Sequence, residues 1–320
     1  MFPNFEDLNS SLRVIALPMR TKFRGINIRE TAIFEGPYGW GEFAPFLEYE
    51  DLECRPWLRS AIEAAYQPQP PLRRDSIPVN GTIPASDSRE EIKNLISLYP
   101  GVKTFKVKVG TSLTADIARI ELVREFAPNA MIRIDVNGSW NVAEAVNSIK
   151  AIYEVTGDFL EYVEQPVETL EEIRDLKSKL EIDVKIAGDE ILRKAANPFD
   201  LDIKGTFDLL VLKVSPLGGI TQSLELAKHY GLPVVVSSAL ESAIGITRGL
   251  TLAAALPKIE YACGLATSAL FEEDIAALAI TDGEIRVAAP RIDALERFEV
   301  SNERLEWWRN RIKRTLELIK

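Results

Sequence analysis

The sequence predicts an α/β fold, a closed parallel barrel, preceded by a smaller unit with a different pattern. Eight short runs rich in β-branched residues recur along the middle of the chain, with starts 24 to 28 residues apart. Most are separated by segments with the apolar spacing of amphipathic helices, such as SLTADIARIELVREFA and GITQSLELAKHYG. This regular alternation of strand and helix is typical of a parallel barrel. An open doubly wound sheet is the alternative, although no glycine-rich fingerprint follows an early strand.

The predicted barrel strands can be given in chain order. They are IPVNGTI (77–83), TFKVKVG (104–110), MIRIDVNG (131–138), FLEYVEQP (159–166), DVKIAGDE (183–190), FDLLVLKV (207–214), LPVVVSS (232–238) and IEYACGL (259–265). Each is short and rich in apolar residues, and the six from 104–110 to 232–238 carry polar residues near the C-terminal end, as expected of barrel strands.

The two ends of the chain differ from this pattern. Residues 1–66 predict an antiparallel meander followed by one helix, and the proline-rich stretch 67–78 predicts a linker. The tail SNERLEWWRNRIKRTLELIK predicts a helix that packs back on the barrel or on the N-terminal unit. We therefore expect one domain from residues 1–76 together with 290–320, and a barrel domain from 77–289.

Composition narrows the classes of partner. The 320 residues carry a formal net charge of −10 with no long basic run, which argues against nucleic acid. No apolar stretch is long enough to cross a bilayer, and the N-terminus lacks the pattern of a secretory leader. Two cysteines are too few for a disulfide framework or a zinc cluster. We expect a cytoplasmic protein that acts on a small molecule, and the oligomeric state stays open.

Active sites of barrels lie at the C-terminal ends of the strands. The polar residues predicted at those ends are Lys106, Lys108, Arg133, Asp135, Asn137, Glu164, Asp189, Glu190, Lys213, Ser237 and Ser238. Three consecutive strands end in the carboxylates Asp135, Glu164 and Asp189. Converging carboxylates form an all-oxygen site that suits Mg²⁺ or Mn²⁺. Taken singly, each carboxylate is better explained as a loop cap or as the partner of a lysine, whereas the whole set on successive strand ends favours a metal site.

The lysines complement this carboxylate set. Lys106 and Lys108 are two residues apart, so they face the same way, and their mutual repulsion should lower one pKa. A lysine with a lowered pKa can act as a general base, and Lys213 would lie on the other side of the carboxylates. A divalent cation and a facing lysine together favour removal of a proton next to a substrate carboxylate, giving an enediolate. Schiff-base chemistry is the competing use of such a lysine, but it does not explain the three carboxylates.

Five motifs in order resemble the enolase superfamily, in its muconate-lactonizing subgroup. They are KVK (106–108), DVN (135–137), EQP (164–166), GDE (188–190) and LKVSPLGGI (212–220). The resemblance implies a (β/α)7β TIM-like barrel with an α+β capping domain built from the N- and C-terminal segments. It also implies Mg²⁺, with Mn²⁺ as a possible substitute, held by Asp135, Glu164 and Asp189.

Further residues resemble the members of the subgroup that dehydrate a succinyl-cyclohexadiene carboxylate. They are FRG (23–25), Arg133, SSALES (237–242) and Gly264. The resemblance implies a syn dehydration in which Lys108 removes the α-proton, Lys213 stabilises the enediolate and Lys106 tunes Lys108. It also implies a substrate pocket formed by Arg24, Arg133, Asn137, Ser238 and Gly264.

The same metal and lysines would also serve racemisation of N-succinylamino acids, epimerisation of dipeptides or cycloisomerisation. These alternatives stay open, because the capping loops that select among them carry no readable pattern. Histidine-dependent dehydration of acid sugars is disfavoured, since His229 is the only histidine. A barrel that has lost catalysis and only binds a ligand is the alternative from a different class.

Overall fold

The computed structural model describes residues 2–293 and 295–319. The N-terminal unit begins with α1 (Phe5–Asn9) and an antiparallel sheet of β1 (Arg13–Phe23), β2 (Ile26–Gly36) and β3 (Gly39–Phe43), in that spatial order. Helix α2 (Asp51–Tyr66) packs on β3. A Cβ at Gly41 would lie 2.1 Å from the carbonyl oxygen of Ala61, so glycine allows this close approach of helix and strand.

Seven parallel strands form the barrel wall. Strand β4 (Ser76–Pro78) precedes them, and they are β5 (Gly81–Ile83), β6 (Thr104–Lys108), β7 (Met131–Asp135), β8 (Leu160–Glu164), β9 (Ile186–Gly188), β10 (Leu209–Lys213) and β11 (Val234–Ser237). Parallel bridges join Val79 to Cys263 and Ser237 to Gly264. The segment 263–264 therefore lies between the first and last strands, and the predicted α/β barrel is confirmed.

Two of the predicted strands differ in detail. The expected first strand 77–83 is divided, because β4 turns away to pair antiparallel with β13 (Glu284–Arg286), the partner of β12 (Ile280–Thr281). The expected eighth strand 259–265 is reduced to its two bridging residues.

Helices cover the outside of the barrel. They are α3 (Arg89–Ser97), α4 (Leu113–Phe126), α5 (Val142–Thr156), α6 (Leu170–Lys179), α7 (Glu190–Lys194), α8 (Ile220–Tyr230) and α9 (Ala243–Ala255). Asn141 and Thr169 begin α5 and α6 with capping boxes, in which side chain and backbone satisfy each other's free groups. Gly231 ends α8 in the left-handed conformation, and His229 lies in the last turn of that helix.

The C-terminal helix α10 (Asn302–Glu317) packs on the N-terminal unit. The Trp308 ring lies edge-on to Phe43 at 5.9 Å, and the indole nitrogen donates to Glu30 at 2.9 Å. Arg311 donates to the carbonyl oxygens of Phe46 and Tyr49 at 2.9 and 2.6 Å. Both ends of the chain thus build the capping unit, and the boundaries 1–76, 77–289 and 290–320 stay a prediction. Among the described helices, none is both long and apolar enough to cross a membrane.

Candidate active site

Strand β6 carries both lysines of its motif toward the centre of the barrel. Phe105 points the other way and packs edge-on against Tyr99 at 6.1 Å, while Val107 is fully buried. The alternation of a strand therefore turns Lys106 and Lys108 to the same side, as predicted. Lys106 lies deeper, with 7% of its surface exposed, and Lys108 lies at the strand end.

Three carboxylates meet these lysines from the neighbouring strands. Asp135, Glu164 and Asp189 are each no more than 1% exposed. Lys106 Nζ lies 3.0 Å from both Asp135 Oδ2 and Glu164 Oε1, and Lys108 Nζ lies 2.5 Å from Asp135 Oδ2. From the other side, Lys213 donates to Asp189 Oδ2. The structure thus brings together all six residues predicted to bind metal or to transfer protons.

The two lysines of β6 differ in their proton affinity. Burial lowers the pKa of Lys108, and the charge of Lys106 lowers it further, against the opposing effect of Asp135. Burial also disfavours the charge of Lys106, but Asp135 and Glu164 together raise its pKa well above the usual value. Lys108 is therefore the better candidate for a base.

The carboxylates also differ from one another. Burial raises the pKa of Glu164 to about 7, and the neighbouring charge of Asp135 adds to the effect. The pKa of Asp135 is lowered in spite of burial, because Lys106 and Lys108 both contact it. Lys213 and Arg193 likewise lower the pKa of Asp189. Seven charged side chains thus share one cluster, and Glu164 is the carboxylate whose charge the surroundings disfavour.

The donor chemistry of this cluster fits Mg²⁺. In residues 2–293 and 295–319, no three carboxylate, histidine or thiol groups surround a common point closely enough to hold an ion. The reason is geometric, since Lys106 lies between Asp135 and Glu164, and Lys213 reaches Asp189. All three candidate ligands are oxygen donors, and Asp189 Oδ1 has no hydrogen-bond partner within the part of the chain that the structure describes. A hard divalent cation suits such a set.

A cavity of about 420 Å³ opens above the cluster, between the barrel and the capping unit. Eight of the predicted site residues line it: Arg24, Lys106, Lys108, Asp135, Asn137, Lys213, Ser238 and Gly264. The volume suits a small organic molecule.

The capping unit and the late strands supply the predicted pocket residues. The Arg24 guanidinium lies 3.9 Å above the Phe46 ring and donates to the Tyr49 hydroxyl at 3.4 Å. Ser238 Oγ shares a 2.7 Å hydrogen bond with Thr267 Oγ1. A Cβ at Gly264 would lie 2.5 Å from Ser237 Oγ, so a larger residue here would have to displace that hydroxyl.

Two of the predicted pocket residues have other contacts. Arg133 is fully buried beneath the carboxylates and lies outside the cavity lining. Its guanidinium donates to Glu161 at 2.5 Å, to Asn80 at 2.9 Å and to the Ala262 carbonyl oxygen at 2.7 Å. The structure thus places Arg133 within the barrel interior, where it links β8 to the segments around Asn80 and Ala262. Asn137 lines the cavity, and its Oδ1 accepts from Lys108 at 2.9 Å.

Sequence reasoning missed residues that line the cavity, among them Arg193, Tyr49 and Trp57. Asn137 Nδ2 donates to Glu190 Oε1 at 3.1 Å, and Arg193 donates to the same oxygen at 2.7 Å. The helical spacing of GDEILRK places Arg193 on the face of Glu190 and could have revealed this pair. The aromatic residues Tyr49 and Trp57 line the cavity from the capping unit and have no such local signal.

The fold and the site define the class of protein. Residues 89–292 match the family model described as Enolase C-terminal domain-like, and residues 14–65 match the one described as Enolase N-terminal domain-like. The chain belongs to the enolase superfamily. Its particular relatives include the o-succinylbenzoate synthase of Mycobacterium tuberculosis (strain ATCC 25618 / H37Rv), 47% identical over 100% of this chain and 98% of that protein. The o-succinylbenzoate synthase of Mycolicibacterium smegmatis is 45% identical over 97% of this chain and 96% of its own.

Solved structures agree on the fold. The N-succinyl Arg/Lys racemase from Bacillus cereus superposes with a TM-score of 0.75 at 22% identity, covering 91% of this chain and 97% of its own. Muconate lactonizing enzyme from Pseudomonas putida gives a TM-score of 0.72 at 18% identity, covering 90% and 98%. The barrel with a capping domain is therefore the fold of this superfamily, and the full-length relatives identify the chain as an enzyme, a lyase.

Proposed function

We propose that the chain is an o-succinylbenzoate synthase. It would convert 2-succinyl-6-hydroxy-2,4-cyclohexadiene-1-carboxylate to o-succinylbenzoate by syn dehydration, through an enediolate, as a step of menaquinone biosynthesis in the cytoplasm. The observation that carries the proposal is the placement of Lys108 and Lys213 on opposite sides of three buried carboxylates beneath one cavity. The full-length relatives with this name support the choice of substrate.

Lys108 is the proposed base. Its neutral amine would take the proton from C1 of the ring, next to the substrate carboxylate, and leave the electron pair in the enediolate. The resulting ammonium would pass that proton to the hydroxyl on C6, so that the C–O bond breaks and water leaves. One lysine can perform both transfers because the proton and the hydroxyl leave from the same face. The lowered pKa of Lys108 supports this assignment.

Lys213 and Lys106 would act through their charge. Lys213 lies on the far side of the cluster, where its ammonium would stabilise the enediolate. Lys106 is a positioning residue, because its charge keeps a proton off Lys108.

Asp135, Glu164 and Asp189 would hold Mg²⁺, with Mn²⁺ as a possible substitute. The bound ion would supply positive charge next to the substrate carboxylate. Once the bound ion balances their charge, the three carboxylates would attract the lysine side chains less strongly. The lysines would then be available to the substrate.

Arg24, Ser238 and Gly264 are proposed to shape the succinyl end of the pocket. Arg24 is the exposed cation of the capping unit at the cavity, and a succinyl carboxylate would need such a partner. Asn137 would orient Lys108, which it contacts directly.

Replacement of the two lysines tests the proposal. Lys108→Ala should lower kcat by about 10³-fold, because the only proposed proton carrier is removed, and Lys213→Ala should lower it by about 10²-fold or more. Lys194→Ala is the matched control, since Lys194 lines the same cavity and forms no ion pair with any residue that the structure describes. Wild-type rates in both active-site variants, measured as o-succinylbenzoate release by the folded proteins, would contradict the mechanism.

A further inference from the structure

One wall of the cavity is the loop between β11 and α9, residues 238–242, together with the end of β11. Ser237, Ser238, Ala239 and Leu240 all line the cavity from this segment. Leu240 has a φ of +64° although it is buried and carries a large side chain. This left-handed region is strained for a non-glycine residue with a large side chain. The loop is therefore held in its conformation by contacts outside itself.

Glu42 of the capping unit supplies such contacts. It projects from β3 and is 3% exposed. Its Oε1 accepts from the Ser242 amide at 3.0 Å, while Oε2 accepts from Ser242 Oγ and from the Gly245 amide, both at 2.7 Å. One donor is the amide of the N-cap residue Ser242 and another is the Gly245 amide in the first turn of α9, so the carboxylate lies at the positive end of the helix dipole.

The space around Glu42 permits little variation. A Cβ at Gly245 would lie 2.8 Å from Glu42 Oε2. Glu42 forms no salt bridge with any residue in the described ranges, and its charge also acts on the buried guanidinium of Arg29. A buried carboxylate with three hydrogen bonds to one helix terminus fixes that terminus relative to its own strand.

Arg29, on the neighbouring strand β2, holds the loop at a second point. Its Nε donates to the carbonyl oxygen of Leu240 at 3.0 Å, and the guanidinium also donates to the carbonyl oxygen of Ala44 in the capping unit. Arg29 is 1% exposed. The strained residue of the cavity wall is thus bonded directly to the cap.

We propose that Glu42, together with Arg29, is a positioning residue through which the capping unit sets the cavity wall at Ser238 and Leu240. The kinetic change expected from this proposal rests on the proposed function, in which Ser238 belongs to the substrate pocket. Loss of the Glu42 contacts should weaken substrate binding and leave the metal end of the barrel unchanged, since Asp135, Glu164 and Asp189 lie on other strands.

The test uses Glu42→Gln in the full-length protein. The amide nitrogen of glutamine would face an N–H donor, so at least one hydrogen bond is lost together with the charge. We expect KM to rise roughly 10-fold and kcat to change less than about 3-fold, as for the loss of one charged hydrogen bond. Hydrogen exchange at the Ser242 and Gly245 amides should accelerate at least about 10-fold, with unchanged exchange in 186–192 and unchanged Mn²⁺ affinity.

A second test variant and a control variant accompany Glu42→Gln. Ser242→Ala removes the 2.7 Å contact of its hydroxyl and should give a smaller change in the same direction, which keeps the proposal testable if Glu42→Gln folds poorly. Glu35→Gln on β2 is the matched control, because Glu35 is exposed and its carboxylate has no hydrogen bond among the described residues. Unchanged exchange at Ser242 and Gly245 in both test variants would overturn the proposal. Faster exchange with an unchanged KM would overturn the positioning role.

The proposal and the proposed function can fail separately. If the wild-type protein does not dehydrate the cyclohexadiene substrate, the proposed function is wrong, and hydrogen exchange alone decides whether the cap holds the loop. If the wild-type protein is active and only the exchange result is negative, the function stands and the positioning role falls.

Discussion

Lys106 and Lys108 show how neighbours on one strand acquire different chemistry. Their spacing predicts that both face the barrel interior and that one pKa falls, and the pKa of Lys108 is indeed lowered. Which lysine responds depends on contacts that lie far apart in sequence. Lys106 contacts two carboxylates, Asp135 and Glu164, whereas Lys108 contacts only Asp135. The sequence could therefore predict the pair, but the division of charge required the folded barrel.

Asp274, which lies outside the site, is predicted to make the free energy of unfolding depend on pH. Asp274 is half-buried near Glu42, and burial, with a contribution from the Glu42 charge, raises its pKa to about 7. Its oxygens accept from the Ala243 amide at 2.9 Å and from the Ile275 amide at 2.7 Å. The folded state therefore keeps a proton that the unfolded chain loses near its ordinary value of 3.8. Between these values folding binds the proton, so the free energy of unfolding falls as the pH rises through 7.

Asp274→Asn should remove this dependence, because asparagine does not titrate. Relative to wild type, the variant should gain on the order of 2 kcal/mol in unfolding free energy between pH 5 and pH 8. Urea unfolding at several pH values measures this difference. If the free energies of unfolding of the two proteins changed with pH in the same way across that range, this expectation for Asp274 would be wrong.

At the scale of elements, periodicity predicted the strands and helices well because each barrel unit buries its own apolar face. It failed where tertiary contacts override the local pattern. The expected eighth strand becomes two bridging residues, and the first strand divides to pair with the hairpin of β12 and β13. The polar strand ends predicted the residues that we propose for proton transfer and metal binding, and barrel geometry brings them together. The aromatic residues Tyr49 and Trp57 were not predictable, because no spacing rule relates a capping loop to the barrel mouth.

The start of α8 shows a second contact between cap and barrel. Glu63 of α2 accepts from the Thr221 amide and hydroxyl, both at 3.1 Å. A Cβ at Gly219 would lie 1.6 Å from Glu63 Oε2, and Gly219 has a φ of +127°. Glycine is thus required by both space and backbone conformation.

Gly219→Ala should therefore cost about 1–3 kcal/mol in unfolding free energy from backbone strain, with an added loss from displacing Glu63. Gly231→Ala is the reference, because Gly231 has a φ of +64° and a ψ of +14° and no described atom lies within 4 Å of its Cβ position. This ordinary left-handed conformation is less strained for a non-glycine residue than that of Gly219, whose φ is +127° and ψ +176°. Chemical denaturation should therefore show the larger loss for Gly219→Ala, and equal losses would contradict the account of this helix end.

At the scale of the whole molecule, the capping unit is assembled from both ends of the chain and closes the cavity above the barrel. This arrangement explains why one end of the site was predictable from the sequence and the other end was not. The proposed catalytic residues lie at the ends of regularly repeated barrel strands, and that repeat is visible in the sequence. The substrate end of the cavity is formed where the barrel meets the capping unit. The identity of the substrate depends on that second end.

Dependence on a divalent cation is the first prediction for the intact enzyme. Chelation with EDTA should abolish dehydration, and Mg²⁺ or Mn²⁺ should restore it, because the three buried carboxylates Asp135, Glu164 and Asp189 form the proposed ligand set. Mn²⁺ binding, followed by its paramagnetic resonance signal, gives a readout independent of turnover. Full activity of the chelated, metal-free protein would contradict the ligand assignment.

The most direct measurement offers the purified enzyme with Mg²⁺ two substrates side by side. One is 2-succinyl-6-hydroxy-2,4-cyclohexadiene-1-carboxylate, with release of o-succinylbenzoate followed over time. The other is an N-succinylamino acid in deuterated water, with α-proton exchange followed by NMR. The account predicts rapid dehydration of the first that is lost in Lys108→Ala. Exchange on the second without any dehydration of the first would contradict it.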